Sequence, residues 1–284
     1  MIKLQTPVAD IPCKVGISYN DRILLLGSCF TDNIGTMLKN YAFDVCCNPF
    51  GTLYNPASIL SSIKRLRDRT PFTTDDCIEI GAGDKRICSF FHHTSFAKPS
   101  QDDFLENANK ALEAASEFFH SCNRIIITLG TSWCYRHIEK DMIVSNCLKR
   151  NPKEFERRLL TVPEVTGILA EIRSLCPDKE FIFTVSPIRH FKDGAHGNQL
   201  SKATLLLGID GALEEDWGDY FPAYEIVMDE LRDYRFYAED MCHPSQQAVG
   251  YIGERFLDWA LPSGEQDKLK ENIRAWKQGC HISK

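Results

Sequence analysis

The chain has 284 residues, 25% of them charged, and a formal net charge of −6, a balance with no basic stripe that argues against nucleic acid as a partner. No stretch nears the roughly 20 apolar residues that a membrane span needs. The start Met1–Ile2–Lys3–Leu4–Gln5 lacks a basic lead into an apolar run, so no signal peptide is expected. The twelve cysteines are scattered without a C-x-x-C pair, which reads as reduced thiols in a cytoplasmic protein.

The most informative stretch is Arg22–Ile23–Leu24–Leu25–Leu26–Gly27–Ser28–Cys29–Phe30. Four consecutive branched aliphatics without alternation predict a strand buried on both faces, as in a parallel sheet covered by helices. A helix with Ile34, Met37, Leu38 and Tyr41 on one face follows. Phe43–Asp44–Val45–Cys46 is a short candidate strand and Asn48–Pro49–Phe50–Gly51–Thr52 a loop. Asn55–Pro56 then caps a helix carrying Ile59, Leu60, Ile63 and Leu66. The runs 77–80 and 86–91 flank Gly81–Ala82–Gly83–Asp84 and predict a hairpin. Ser100 with Asp103 opens a long helix to about Phe119.

Arg124–Ile125–Ile126–Ile127–Thr128–Leu129–Gly130 repeats the first strand's design, and 133–138 with 142–145 predict a second hairpin. A helix starts at Pro163. Glu180–Phe181–Ile182–Phe183–Thr184–Val185 is a third buried strand ending in Ser186–Pro187. The segment 198–213 reads as helix, the acidic run 214–219 as a solvated face, and the last helix as starting near Ser245. With no repeat and no linker, the alternation predicts a single three-layer α/β/α domain over 1–284, its core about 22–260, with a mostly parallel sheet and small hairpin insertions.

Ligands of open α/β sheets bind beyond the carboxyl ends of the strands, which is where Ser28 and Cys29 fall. A second informative stretch is Asp240–Met241–Cys242–His243–Pro244–Ser245. A carboxylate and an imidazole at i, i+3 in a turn share a side, so Asp240 accepts from one ring nitrogen of His243 and leaves the other as a base. An early nucleophile with a late Asp–His pair supplies the parts of an acyl-transfer triad. A thiol at Cys29, beside a helix N-terminus and near a histidine, is expected to titrate below its ordinary value of about 8.5. His92 and His93 are neighbours on a strand end and point to opposite faces, one in the core and one exposed. Arg189 and His190 follow the third buried strand, where a guanidinium suits a substrate carboxylate or phosphate, or a plain structural ion pair.

These stretches resemble the GSCFA family, whose signature matches Leu26–Gly27–Ser28–Cys29–Phe30. Further matches are Asn48–Pro49–Phe50–Gly51–Thr52, Phe91–His92–His93, Leu129–Gly130–Thr131, Ser186–Pro187–Ile188–Arg189–His190 and Asp240–Met241–Cys242–His243–Pro244–Ser245, over about 23–256. The family is bacterial and similar in layout to the SGNH (GDSL-like) hydrolases. The resemblance implies a flavodoxin-like sheet, a nucleophile after the first strand and a late Asp-x-x-His. It further implies an oxyanion hole built from an N–H beside the nucleophile, a glycine N–H after the second strand and an asparagine side chain after the third. SGNH enzymes carry Gly-Asp-Ser, so register from Gly27 puts Cys29 at the nucleophile position, and a turn shifted by one residue puts Ser28 there. Gly51 takes the glycine role. Ser132 stands at the asparagine position, with the N–H groups of Thr131 and Ser132, or Asn48, as further donors.

The expected activity is that of an SGNH-like acyl-ester hydrolase or acyltransferase acting on a small-molecule or carbohydrate ester. Its site residues are Ser28 or Cys29, Asp240 and His243, with Gly51, Thr131, Ser132, Asn48, Arg189 and His190 around the substrate. The alternatives are a non-catalytic ligand- or carbohydrate-binding descendant of that fold and an interaction module of an envelope or polysaccharide system. No metal and no nucleotide cofactor are expected.

Overall fold

A computed structural model describes residues 6–9, 11–215 and 217–282. Residues 1–5, on which the leader expectation rests, lie outside them. Three apolar runs form the centre of a five-stranded parallel sheet: β1 (Arg22–Gly27), β5 (Arg124–Leu129) and β9 (Glu180–Val185). The outer strands are β2 (Asp44–Cys47) beside β1 and β10 (Gly218–Tyr220) beside β9. Taken by position in the chain, the order is 2-1-3-4-5, that of a flavodoxin-like sheet. Its topological switch point lies between β1 and β5.

Alternate side chains of each strand feed opposite layers. Leu24 and Leu26 point to the layer of α2 (Pro56–Asp68), α3 (Gln101–Ser121), α4 (Val162–Leu175) and α5 (Gly194–Ala212). Ile23 and Leu25 point to that of α1 (Cys29–Asn40), α7 (Gln246–Ala260) and α8 (Gln266–Ile282). Ile23, Leu24, Leu25 and Leu26 are all fully buried, each worth about 1.5–3 kcal/mol of transfer free energy. A short helical turn, α6 (Ala223–Glu225), continues as a wider turn over Ile226–Glu230. The helix after Asn55 carries its expected cap, Asn55 accepting from Ser58 N at 2.9 Å ahead of Pro56, and α4 starts on a capping box of Thr161 with Glu164 that the sequence reading did not name. Each such cap contributes about 1 kcal/mol.

Two insertions stand outside the sheet. One is the antiparallel pair β3 (Ile78–Glu79) and β4 (Ile87–Cys88). The other is a three-stranded antiparallel sheet in which β6 (Trp133–His137) lies between β7 (Met142–Val144) and β8 (Phe155–Leu159). The predicted second hairpin is therefore two strands of three. Because it follows the carboxyl end of β5, this insert stands over the sheet edge that holds the switch point.

Three sequence readings need correction. The acidic run is not a solvated face throughout: Gly218–Tyr220 is an edge strand, and buried Asp219 accepts from the N–H groups of Lys14 (2.7 Å) and Val15 (2.6 Å). The helix starting after Ser245 is not the last, since α8 packs Leu269 into the core and Trp276 edge-on to Tyr41. The helix read from Asn198 begins earlier, at Gly194. Among the described residues, no helix is long and apolar enough to cross a membrane.

Candidate active site

The strand–turn–helix at the end of β1 is built around a close approach. Gly27 has φ +153°, and a Cβ there would run into the carbonyl oxygen of Thr128 on β5, so glycine is required. The next two residues diverge. Ser28 is buried, caps α1 by accepting from Phe30 N at 3.3 Å, and donates its hydroxyl to Ser186 Oγ at 3.0 Å beyond β9. Cys29, the first residue of α1, instead lines a cavity of about 740 Å³. His243 lines the same cavity. Among the described residues no hydrogen bond joins the Cys29 thiol to the His243 ring.

The thiol does not behave as its place at a helix start suggests. Burial pushes Cys29 up to about 11, and the Asp32 carboxylate and Cys242 add to the rise. The N–H groups of Cys29 and Phe30 oppose it only partly. The expectation of a lowered pKa is therefore overturned: desolvation in the cavity wall outweighs the field of the helix end.

The Asp–His pair forms locally. Asp240 Oδ1 accepts from the N–H groups of Cys242 and His243, both at 2.9 Å, and Oδ2 takes His243 Nδ1 at 2.6 Å. Met241, at φ +55°, closes the turn that makes this possible. The His243 N–H and ring, with the Cys242 N–H, hold the Asp240 carboxyl down at about 2. An ionised carboxylate fixes the proton on Nδ1 and leaves Nε2 as the basic nitrogen.

The proposed oxyanion donors turn out to be engaged elsewhere. Gly51, at φ +82°, gives its N–H to the Asn48 carbonyl at 2.8 Å and does not line the cavity. Gly130 and Thr131 both donate to the Tyr54 carbonyl at 2.9 Å, which ties the loop after β2 to the end of β5. The Thr131 hydroxyl pairs with Ser201 Oγ at 2.9 Å. Ser132 is fully buried, its N–H on Ser201 Oγ at 2.8 Å and its hydroxyl on the Ser201 carbonyl at 3.2 Å. Asn48 is a staple: its Oδ1 accepts from Gly27 N at 2.8 Å and its Nδ2 donates to Asp32 Oδ1 at 2.6 Å. The N–H of Cys29, as that of the first helical residue, has no partner inside the helix.

The opposite wall comes from the segment after β9 and from the insert. Arg189 donates its N–H to the Cys242 carbonyl at 3.1 Å and accepts the Cys242 thiol at 2.6 Å, which locks this segment to the Asp240–His243 turn. Arg189 lines the cavity, and its guanidinium has no carboxylate partner among the described residues. Burial, with Lys202 and His243 adding, pushes the His190 imidazole down to about 4, so it is neutral at pH 7. Of the paired histidines, His92 is buried among Phe50, Phe72 and Phe96, and burial pushes it down to about 3. His93, half-buried rather than exposed, reaches the cavity. The pair lies in a turn rather than on a strand end.

Sequence reasoning missed the insert's contribution. Trp133 and Tyr135, two apart on β6, line the cavity together, and Arg157 of β8 lays its guanidinium 4.0 Å from the Trp133 ring centroid. Arg157 also pairs with Asp193, and Lys192 donates to Tyr135 OH at 2.7 Å, so the insert is clamped to the segment after β9. The i, i+2 aromatics were a readable signal. Arg157 was not, because the short run that carries it reads as polar.

The GSCFA family model matches residues 22–256. No curated protein matches the chain. Among solved structures, the chain is similar to an acetyl xylan esterase from the rumen bacterium Butyrivibrio proteoclasticus, at 12% identity and a TM-score of 0.44. That likeness covers 89% of this chain and 66% of the esterase, so the chain spans slightly less than two thirds of that protein's length.

Proposed function

The chain belongs to the GSCFA family, and we propose that it is an acyl-ester hydrolase or acyltransferase with Cys29 as nucleophile, His243 as base and Asp240 as its orienter. One observation carries the reading: Cys29 and the Asp240-bound His243 line the same cavity, while Ser28 is buried as a helix cap. In the first half-reaction the thiol proton passes to His243 Nε2 as Sγ bonds the carbonyl carbon. The tetrahedral oxyanion collapses, the C–O bond to the alcohol breaks, and the departing alkoxide takes the proton from His243. Water then adds to the thioester and gives its proton to His243. The C–S bond breaks and the thiolate regains that proton. An acceptor alcohol in place of water makes the same sequence an acyl transfer.

With a thiol pKa of about 11, about one molecule in 10⁴ is thiolate at pH 7, a gap of four units. Proton removal must then accompany attack, which makes His243 indispensable. Arg189, cationic and without a carboxylate partner, suits a carboxylate or phosphate on the substrate, and the Trp133 and Tyr135 rings suit a flat or sugar-like acceptor. The second reading, a ligand- or carbohydrate-binding descendant without catalysis, is favoured by the engaged N–H groups of Gly51, Thr131 and Ser132. Hydrolysis of phenyl acetate by the parent, Cys29→Ala and Ser28→Ala proteins separates the two. Turnover lost only in Cys29→Ala supports catalysis, and no turnover in any of them supports the binding reading.

A further inference from the structure

One buried group is used by neither the sequence reading nor the proposed triad. Lys202 of α5 is 1% exposed, and its ammonium donates to the Gly130 carbonyl at 2.6 Å and the Ser186 carbonyl at 2.7 Å. Those two carbonyls follow the ends of β5 and β9, next to the switch point. No carboxylate forms an ion pair with Lys202 among the described residues. A buried ammonium without a counter-ion is costly to keep, and two neutral carbonyls do not offset a full charge. The titratable groups that act on it are the Cys242 thiol from the Asp240–His243 turn, the Asp193 carboxylate after β9 and the Cys29 thiol at the head of α1. Asp193 is committed to Arg157. The His190 imidazole also feels Lys202, and the Tyr224 ring lies 5.7 Å away.

We infer that Lys202 is a positioning residue whose buried charge stabilises negative charge forming at Cys29, in place of the N–H donors engaged elsewhere. This inference rests on the proposed role of Cys29. Burial pushes Lys202 down to about 7, with Cys242, Asp193 and Cys29 pulling it back up. An anion forming at Cys29 therefore favours the charged form of Lys202. As pH rises well above 7 with no anion present, Lys202 goes neutral and its help fades.

The test follows alkylation of each cysteine by iodoacetamide against pH, by peptide mass spectrometry, in the parent, Lys202→Met and Lys202→Arg proteins. Lys202→Met should slow Cys29 alkylation about tenfold at a given pH and move its profile upward, leave Cys13 unchanged, and be rescued by Lys202→Arg. A folded Lys202→Met protein with the parent's Cys29 profile overturns the inference and leaves Lys202 a strand staple. If Lys202→Met does not fold, ¹³C-lysine NMR of the Cys29→Asp protein decides. The Lys202 signal should titrate about one unit higher beside the fixed anion, and an unmoved titration overturns the inference. Neither readout uses ester hydrolysis, so a protein that hydrolyses no ester still answers the question.

Discussion

Asn48 offers a sharp separation of a structural from a catalytic role. Its side chain caps the buried N–H of Gly27 at 2.8 Å and reaches Asp32 at 2.6 Å, from a backbone at φ +43°. Truncation strands the Gly27 N–H, which costs about 1–3 kcal/mol. Alanine adds about 1 kcal/mol because its Cβ resists the left-handed region, and glycine does not. Asn48→Ala should then lose about 2–4 kcal/mol and Asn48→Gly about 1–3. At roughly 2–4 °C per kcal/mol, the alanine variant melts roughly 4–16 °C lower. Urea unfolding and thermal melts of both variants measure this. The reasoning is refuted if both variants stay within about 0.5 kcal/mol of the parent, or if alanine is no worse than glycine. An oxyanion role makes the opposite pattern, a loss of about 10²–10³ in kcat with stability kept.

Asp240→Asn keeps an oxygen for the two N–H groups but no longer holds the His243 proton on Nδ1. It should lower kcat by about 10²–10⁴ with little change in thermal stability, read by steady-state ester hydrolysis beside a melt. His92 has a folded pKa of about 3, below its unfolded value. The unfolded chain therefore binds the extra proton between about pH 6.5 and 3, and stability falls as pH drops through that window by at most about 5 kcal/mol (3.5 units at 1.36 each). His92→Phe should flatten the decline of Tm between pH 7 and 4, and an unchanged slope contradicts the assignment. Arg189→Ala should raise KM about tenfold for the anionic ester 4-acetoxybenzoate and leave that for phenyl acetate unchanged, and equal effects on both would remove the charge-recognition role.

The sheet was readable because β1, β5 and β9 are buried on both faces, and continuous aliphatic runs are the direct consequence. Helix starts were readable because their caps are local. β8 and β10 escaped notice for the complementary reason: Phe155–Leu159 carries Glu156, Arg157 and Arg158, and Gly218–Tyr220 is three residues around a charge. Their strand character comes from partners far along the chain. α8 was readable in principle, since Leu269, Ile273 and Trp276 share a face. At the site the Asp240–His243 bond is local and legible. Which N–H groups are free is not, because Gly130 and Thr131 meet Tyr54 only in the folded loop. The thiol pKa failed likewise: the helix start is visible in the sequence, and the burial that outweighs it is not. Lys202 reads as a solvent-facing lysine until α5 is laid against the ends of β5 and β9.

The most direct test of the central claim is intact-protein and peptide mass spectrometry of the protein quenched with acid during turnover of p-nitrophenyl acetate. One acetyl adduct, a gain of about 42 Da, is expected on Cys29 as a hydroxylamine-labile thioester. The adduct should be present in the parent and Ser28→Ala proteins and absent from Cys29→Ala. An acetyl group on Ser28, or undiminished hydrolysis by Cys29→Ala with no adduct on Cys29, would contradict it.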